Sequence, residues 1–231
     1  LSMSRRDEVL RIRDATPEDN DSLLGLEAES PQGSDIPILV DRDDYFHRAR
    51  LLPHGRVLVA EEDDRLVGVI AYAIKEVFVE GARERLAYFY DLRRAAADRR
   101  SMRRGMWRLW RTALEQVEST KASFVYGHVK ADNHDAMAIY RKLGALPLSS
   151  FAILSVPAVR GQRVDLDPHL DRLPEEVDQI RALVGTRNFA PCDFHDAYTH
   201  GAELGYLRGI FRIEDGDSMA QLSAWDFSSV S

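Results

Sequence analysis

The chain has 231 residues, 45% of them hydrophobic and 30% charged. That is the balance of a soluble globular protein with room for one well-cored domain and a smaller extra region. No apolar run approaches the ~20 residues of a membrane span, and the N-terminus lacks the apolar core of a signal peptide, so a soluble, cytoplasmic protein with no membrane partner is expected. The net charge of −7 argues against a general nucleic-acid binder, and the single cysteine, Cys192, leaves no internal disulfide and fits a reducing compartment.

Taken in chain order, residues 9–13 read as a short strand. Thr16-Pro17-Glu18-Asp19 is a helix start, with Thr as N-cap, Pro at the first helical position and acids in the first turn. That helix runs through Leu23, Leu24 and Leu26 until Pro31-Gln32-Gly33-Ser34 breaks it, and residues 43–52 can form a second. A β-branched run at 56–61, a polar turn at 62–65 and a second run at 66–79 predict a hairpin, and 86–92 predicts another strand. From Gly105 onward the period becomes helical, carried by Met106, Trp110, Ala113, Leu114 and Val117. A strand at 124–129, a helix at 133–143 stopped by Gly144, and a strand at 148–156 follow. The order β-α-α-β-β-β-α-β-α-β predicts an α/β fold with a mixed, mostly antiparallel sheet and helices on both faces. Residues 157–168 read as a linker to a short C-terminal α/β extension, 158–231, with a helix at 175–183 and a strand-like end at 219–225. That last strand has no evident partner in the sequence, so truncation, or docking of this end on the first domain, is expected.

Charge is unevenly distributed. Between Arg93 and Arg111 stand eight arginines (Arg93, Arg94, Arg99, Arg100, Arg103, Arg104, Arg108 and Arg111) against one acid, Asp98. A basic segment within an acidic chain suggests a local polyanion site such as a nucleotide phosphate; a solvated helix face explains it equally well. Cys192, His195 and His200, with Asp193 and Asp196, match no closed zinc spacing and read as a polar surface loop. Trp107 and Trp110 read as core residues of an amphipathic helix.

Two segments carry a resemblance. Val57-Leu58-Val59-Ala60-Glu61 through Arg65-Leu66-Val67-Gly68-Val69-Ile70 looks like the second and third strands of the GNAT N-acetyltransferase superfamily. Asn133-His134-Asp135-Ala136-Met137-Ala138-Ile139-Tyr140-Arg141-Lys142-Leu143-Gly144 resembles its late motif, N-x-x-A-x-x-x-Y-x-x-x-G. With the element order, the likeness covers residues 9–157. Pieces of the extension (175–180, 183–186 and 220–226) look like segments that follow the acetyltransferase domain in plant Hookless-type N-acetyltransferases.

The resemblance implies a transferase that moves an acetyl group from acetyl-CoA, its cosubstrate, directly to a primary amine acceptor, and is compatible with a homodimer. It implies pyrophosphate binding by backbone N–H groups at a helix N-terminus, here the helix expected near Gly105. The family's loop, [Q/R]-x-x-G-x-[G/A], is altered: only Gly105 survives, Met102 stands in the place of its first residue, and Trp107 replaces its last small residue, with Gly105 and Met106 remaining as cofactor-binding candidates. Arg99, Arg100, Arg103 and Arg104 could compensate by charge-assisted bonds to phosphate. Leu92 and Arg93 would offer backbone groups to pantetheine, Asn133 would orient it or cap its own helix, and Tyr140 would protonate the leaving thiolate.

For the general base the acids are Asp91, ranked first, and Glu84, with Tyr88 and Tyr90 as aromatic candidates. Simple strand alternation would put Tyr88, Tyr90 and Leu92 on one face and Phe89 and Asp91 on the other. Two other functions stay open: a catalytically degenerate binding or regulatory protein of this fold, with its cleft blocked by Trp107 or an arginine, and a nucleic-acid contact through residues 93–111. The acceptor site is expected from residues 29–43, 73–85 and the extension.

Overall fold

A two-residue turn organises the centre of the sheet. Asp63 and Asp64 both have positive φ, 49° and 61°, the backbone twist that joins two strands into a tight hairpin. It connects β2 (Arg56–Glu62) to β3 (Arg65–Val79), and a second tight turn through Glu80 and Gly81 leads into β4 (Ala82–Arg94). With β1 (Arg11–Asp14) and β5 (Phe124–Gly127) they form a five-stranded sheet in the order β1-β2-β3-β4-β5. Neighbours are antiparallel except β4 and β5, which are parallel. The computed structural model describes residues 10–33, 42–95, 99–150, 172–185, 187–192, 194–215 and 218–225.

The alternating pattern of β2–β4 feeds a core on each face. Leu58, Ala60, Ile70, Tyr72, Ala87 and Phe89 face α3 (Arg99–Ser119), whose Leu109, Trp110, Ala113 and Val117 are buried against them. Burying each large apolar side chain contributes about 1.5–3 kcal/mol. α4 (His134–Lys142) joins this face through Tyr140, whose ring meets Trp110 edge-on at 5.8 Å. The opposite face, with Val57, Val59, Val69, Ala71, Ala73, Tyr88 and Tyr90, is covered by α1 (Asn20–Ala28), the chain at Tyr45, and α2 (His47–Leu51). Before α1 comes a 3-10 turn at Pro17–Asp19, where the Asp19 carboxylate accepts from the Thr16 backbone N–H at 2.7 Å.

Three expectations need correction. α3 begins at Arg99, not near Gly105: arginine is a good helix former, and the first turn and a half, with Met102 its single apolar residue, carries no periodic signal. The second helix is shorter than expected, His47–Leu51. The strand at 148–156 is not seen at 148–150, which lie in no regular element; 151–156 fall outside the described residues.

The C-terminal region contains α5 (Leu173–Val184), α6 (Phe194–Glu203) and an antiparallel hairpin of β6 (Leu207–Asp215) and β7 (Ser218–Trp225). β6 is the partner that residues 219–225 lacked in the sequence reading. Val177, Leu207 and Ile210 form its small core, with Trp225 packed alongside. Residues 188–192 run beside β3 where β2 has ended: Phe189 donates to the Phe78 carbonyl (2.8 Å), Phe78 to Ala190 (3.0 Å) and Cys192 to Glu76 (2.8 Å). His195 pairs with Asp178 and His200 donates to the Arg50 carbonyl. No group of three or more metal-ligating side chains occurs among the described residues, and no described helix is long and apolar enough to cross a membrane.

Candidate active site

The site begins where two strands part. β4 and β5 are paired only from Leu86↔Phe124 to Phe89↔Gly127. β4 then continues to Arg94 while β5 ends at Gly127, opening a V-shaped cleft whose fork is Phe89/Gly127. Parallel strands must be joined by a crossover, here α3, and the chain leaving β5 turns away into α4.

Glycine is required at the fork. A Cβ on Gly127 would stand 2.9 Å from the Phe89 carbonyl oxygen and 3.9 Å from the Tyr140 hydroxyl. That places the Tyr140 hydroxyl at the parting of the strands, held from behind by Trp110. Burial, reinforced by Tyr88, raises the pKa of this phenol above its ordinary value, which keeps it a proton donor. Asn133 caps α4, its side chain accepting from Ala136 N–H at 3.1 Å.

The next residue, His128, reaches the other face. Its Nδ1 lies 3.2 Å from the Tyr88 hydroxyl, with either group able to donate, and Arg48 donates to the same hydroxyl at 2.7 Å. Tyr88 stacks between Tyr90 (5.4 Å) and Tyr126 (5.0 Å), forming an aromatic shelf. The Arg48 guanidinium lies over the Tyr90 ring at 4.7 Å, Lys75 over Tyr88 at 5.3 Å, and Phe189 abuts Tyr126 at 5.5 Å. Partial burial, then the charges of Arg48 and Lys75, lowers the pKa of His128, so the ring stays neutral below the usual histidine range. Sequence reasoning passed over His128 because it follows a four-residue strand and belongs to no motif. Its one signal was position, directly after the strand that borders the cleft.

A bulge sets the other half of the site. Arg93 pairs with Val69 and Tyr90 with Ala71, so two residues of β4, Asp91 and Leu92, oppose Ile70 alone, and Asp91 takes φ 49°. The alternation expected for this strand therefore fails after Tyr90. Leu92 packs with Phe89 toward α3, and Asp91 joins Tyr88 and Tyr90 on the shelf side. Both Asp91 oxygens go to guanidiniums, Oδ2 to Arg42 (3.2 Å) and Oδ1 to Arg48 (3.4 Å). Glu27 completes the cluster, accepting from Arg42 at 2.8 Å and from Arg93 at 2.8 Å. Glu84, the other acidic candidate, lies at the far end of β4 and accepts from Ser123.

The candidate cofactor residues divide by position. Leu92 and Arg93 lie on the part of β4 beyond its pairing with β5, where their backbone borders the cleft. The Arg93 side chain, however, is turned inward to Glu27 and the Ser30 carbonyl. Arg99, Arg100 and Arg103 lie in the first turns of α3, and Arg104 is exposed. Gly105 faces the sheet, where a Cβ would touch Leu10 and Val67 at 3.5 Å, and Met106 packs over Gly68. These two lie in the helix–sheet contact. Trp107 is 57% exposed and not the core residue expected, while Trp110 is buried; Arg108 donates to the Leu10 carbonyl and Arg111 pairs with Glu115. Two hollows of about 320 and 530 Å³ lie elsewhere, beside α2 and between α2 and α6, and share no lining residue with the fork. The fork is an open groove between strands, so its chemistry rather than its enclosure marks it.

Residues 11–147 match the acetyltransferase (GNAT) domain family. Among solved structures, a transcriptional regulator from Bacillus halodurans C-125 is similar with a TM-score of 0.52 at 15% identity, over 64% of this chain and 100% of that one. An aminoglycoside N-acetyltransferase in complex with CoA gives 0.51 at 13% identity, over 68% and 100%. An aminoglycoside antibiotic 6'-N-acetyltransferase from Acinetobacter haemolyticus gives 0.50 at 17%, over 64% and 99%. At these identities the likeness is one of fold. No curated protein is significantly similar in sequence to this chain.

Proposed function

The chain belongs to the GNAT acetyltransferase family, and on that premise we propose that it transfers an acetyl group from acetyl-CoA to a primary amine. The observation that carries this reading is the Tyr140 hydroxyl at the parting of β4 and β5, with His128 on the neighbouring position and the other face. The thioester lies in the cleft with its pantetheine arm along the β4 backbone at Leu92 and Arg93, and its phosphates meet the first turns of α3, where Arg99, Arg100, Arg103 and Arg104 stand. Gly105 and Met106 serve this indirectly, by seating α3 close on the sheet.

His128, donating Nδ1–H to Tyr88, takes the amine's proton at Nε2. The amine attacks the thioester carbonyl, the C–S bond breaks, and Tyr140 protonates the leaving sulfur. In this reading Asp91 is not the base: its carboxylate holds Arg48 and Arg42 in place.

Titration calorimetry with CoA and acetyl-CoA, together with CoA release measured across a panel of amines, tests the proposal. Micromolar CoA binding and amine-dependent release are expected. No binding at millimolar CoA would sink the enzymatic reading, and oligonucleotide binding untouched by CoA would favour a nucleic-acid role for residues 93–111.

A further inference from the structure

The acceptor face carries an unbalanced charge. Among the described residues, three guanidiniums, Arg42, Arg48 and Arg93, share two carboxylates, Glu27 and Asp91. Arg42 and Arg93 are buried, with side chains 8% and 2% exposed, and they satisfy Glu27 and one oxygen of Asp91. Arg48 is the member left over: its side chain is 43% exposed, and its contact with Asp91 is the longest of the set at 3.4 Å. Its other bond goes to a neutral phenol, Tyr88. A guanidinium has five N–H donors in a planar fork, so the two bonds to Tyr88 and Asp91 leave capacity for a bidentate anion. Lys75 lies over the Tyr88 ring at 5.3 Å.

We propose that the acceptor is an amine that also bears a carboxylate, an amino acid or a compound built like one, with Arg48 reading the carboxylate while the amine faces His128. Arg48 and His128 both reach the Tyr88 hydroxyl, at 2.7 and 3.2 Å. The two groups are thus separated by a span that the amine and carboxylate of one α-amino acid bridge. The shelf of Tyr88, Tyr90 and Tyr126, bordered by Phe189, offers ring faces to an aromatic or apolar side chain. A polycationic acceptor would meet Arg48 at this face and be repelled.

This inference rests on the acetyltransferase reading, and its test separates the two. Binding of N-acetyl-L-phenylalanine, a product-like carboxylate, is compared with that of N-acetyl-L-phenylalaninamide by tyrosine fluorescence, which needs no turnover. The acid is expected to bind at least tenfold more tightly, Arg48→Gln to erase that preference, Arg48→Lys to restore part of it, and Arg65→Gln on the far hairpin to leave it intact. Thermal melts of each variant confirm that the fold survives. In turnover, free amino acids are expected to outperform their methyl esters and kanamycin, with Arg48→Gln raising acceptor KM and leaving acetyl-CoA KM unchanged. Equal binding of acid and amide, or a preference that survives Arg48→Gln, overturns the inference even if acetyl transfer is confirmed. Absence of any transfer or CoA binding overturns the enzymatic reading instead, and the acid/amide comparison still decides the anion site.

Discussion

Replacing Glu27 tests the charge cluster beside the tyrosine shelf. The residue is 2% exposed, and its two oxygens accept from Arg42 at 2.8 and 3.0 Å and from Arg93 at 2.8 Å. Glu27→Ala would leave the Arg93 guanidinium, 2% exposed, with the Ser30 carbonyl and no anion among the described residues, and Arg42 with Asp91 alone. Removing one partner of a buried ion pair costs about 3–5 kcal/mol, because the surviving charge stays desolvated. For a domain of this size each kcal/mol lowers Tm by about 2–4 °C, so a fall of about 6–20 °C is expected. Urea unfolding followed by the fluorescence of buried Trp110 gives the free energy from the midpoint and slope. Glu27→Gln separates charge from shape, and a Glu27→Met, Arg93→Met double variant should recover much of the loss, since a packed apolar pair replaces a buried ionic one at little cost. The chain Glu27–Arg42–Asp91–Arg48 also predicts a larger rise in acceptor KM than in acetyl-CoA KM. A loss below about 1 kcal/mol, the range of solvent-screened surface pairs, would refute the reasoning and mean that water reaches the cluster.

Tyr140→Phe is expected to lower kcat by about 10²–10⁴-fold, the range for loss of a general acid, with CoA affinity by calorimetry unchanged; normal turnover would remove Tyr140 from the chemistry. His128 titrates below the ordinary histidine range, so the acid limb of the kcat/KM profile should lie below pH ~6.5 and disappear in His128→Asn. The same shift, shared by His47 through burial first and then Arg50, carries a sign for stability. Between pH ~6.5 and the lowered folded values the unfolded chain binds protons that the folded chain does not, so stability should fall as pH drops through that window; denaturant midpoints at a series of pH values check it. Gly127→Ala, with its Cβ 2.9 Å from the Phe89 carbonyl, is expected to cost about 1–3 kcal/mol of overpacking and to slow turnover by moving the fork; a crystal structure with an unshifted Phe89–Gly127 pair would contradict this.

Much of the architecture was legible in local patterns because local physics creates it. The 56–79 hairpin follows from β-branched alternation around two aspartates, and α1 from a Thr-Pro-Glu-Asp cap. α4 follows from Asn133 and the spacing to Gly144, and the resemblance of that stretch to the family's late motif pointed to Tyr140. These features depend on residues a few positions apart. The true start of α3 was hidden because its first turns are arginine-rich and carry no apolar period. The β6–β7 pairing was missed because a strand's partner is a long-range contact that alternation does not identify.

What tertiary structure alone decided is the facing of the site. A period-two reading sends Asp91 and Tyr90 to opposite faces, but one extra residue in β4, opposite Ile70, returns Asp91 to the tyrosine shelf, where Arg42 and Arg48 hold it. Nothing in the string Tyr-Asp-Leu-Arg marks that bulge, since its stability comes from ion pairs formed with residues more than 40 positions away. The same packing brought His128 to Tyr88 and turned the Arg93 side chain inward. Element order and motif resemblance pointed to a GNAT fold and to Tyr140; three-dimensional packing determined which charges gather at the tyrosine shelf, because electrostatic partners are chosen by distance in space and not by spacing along the chain.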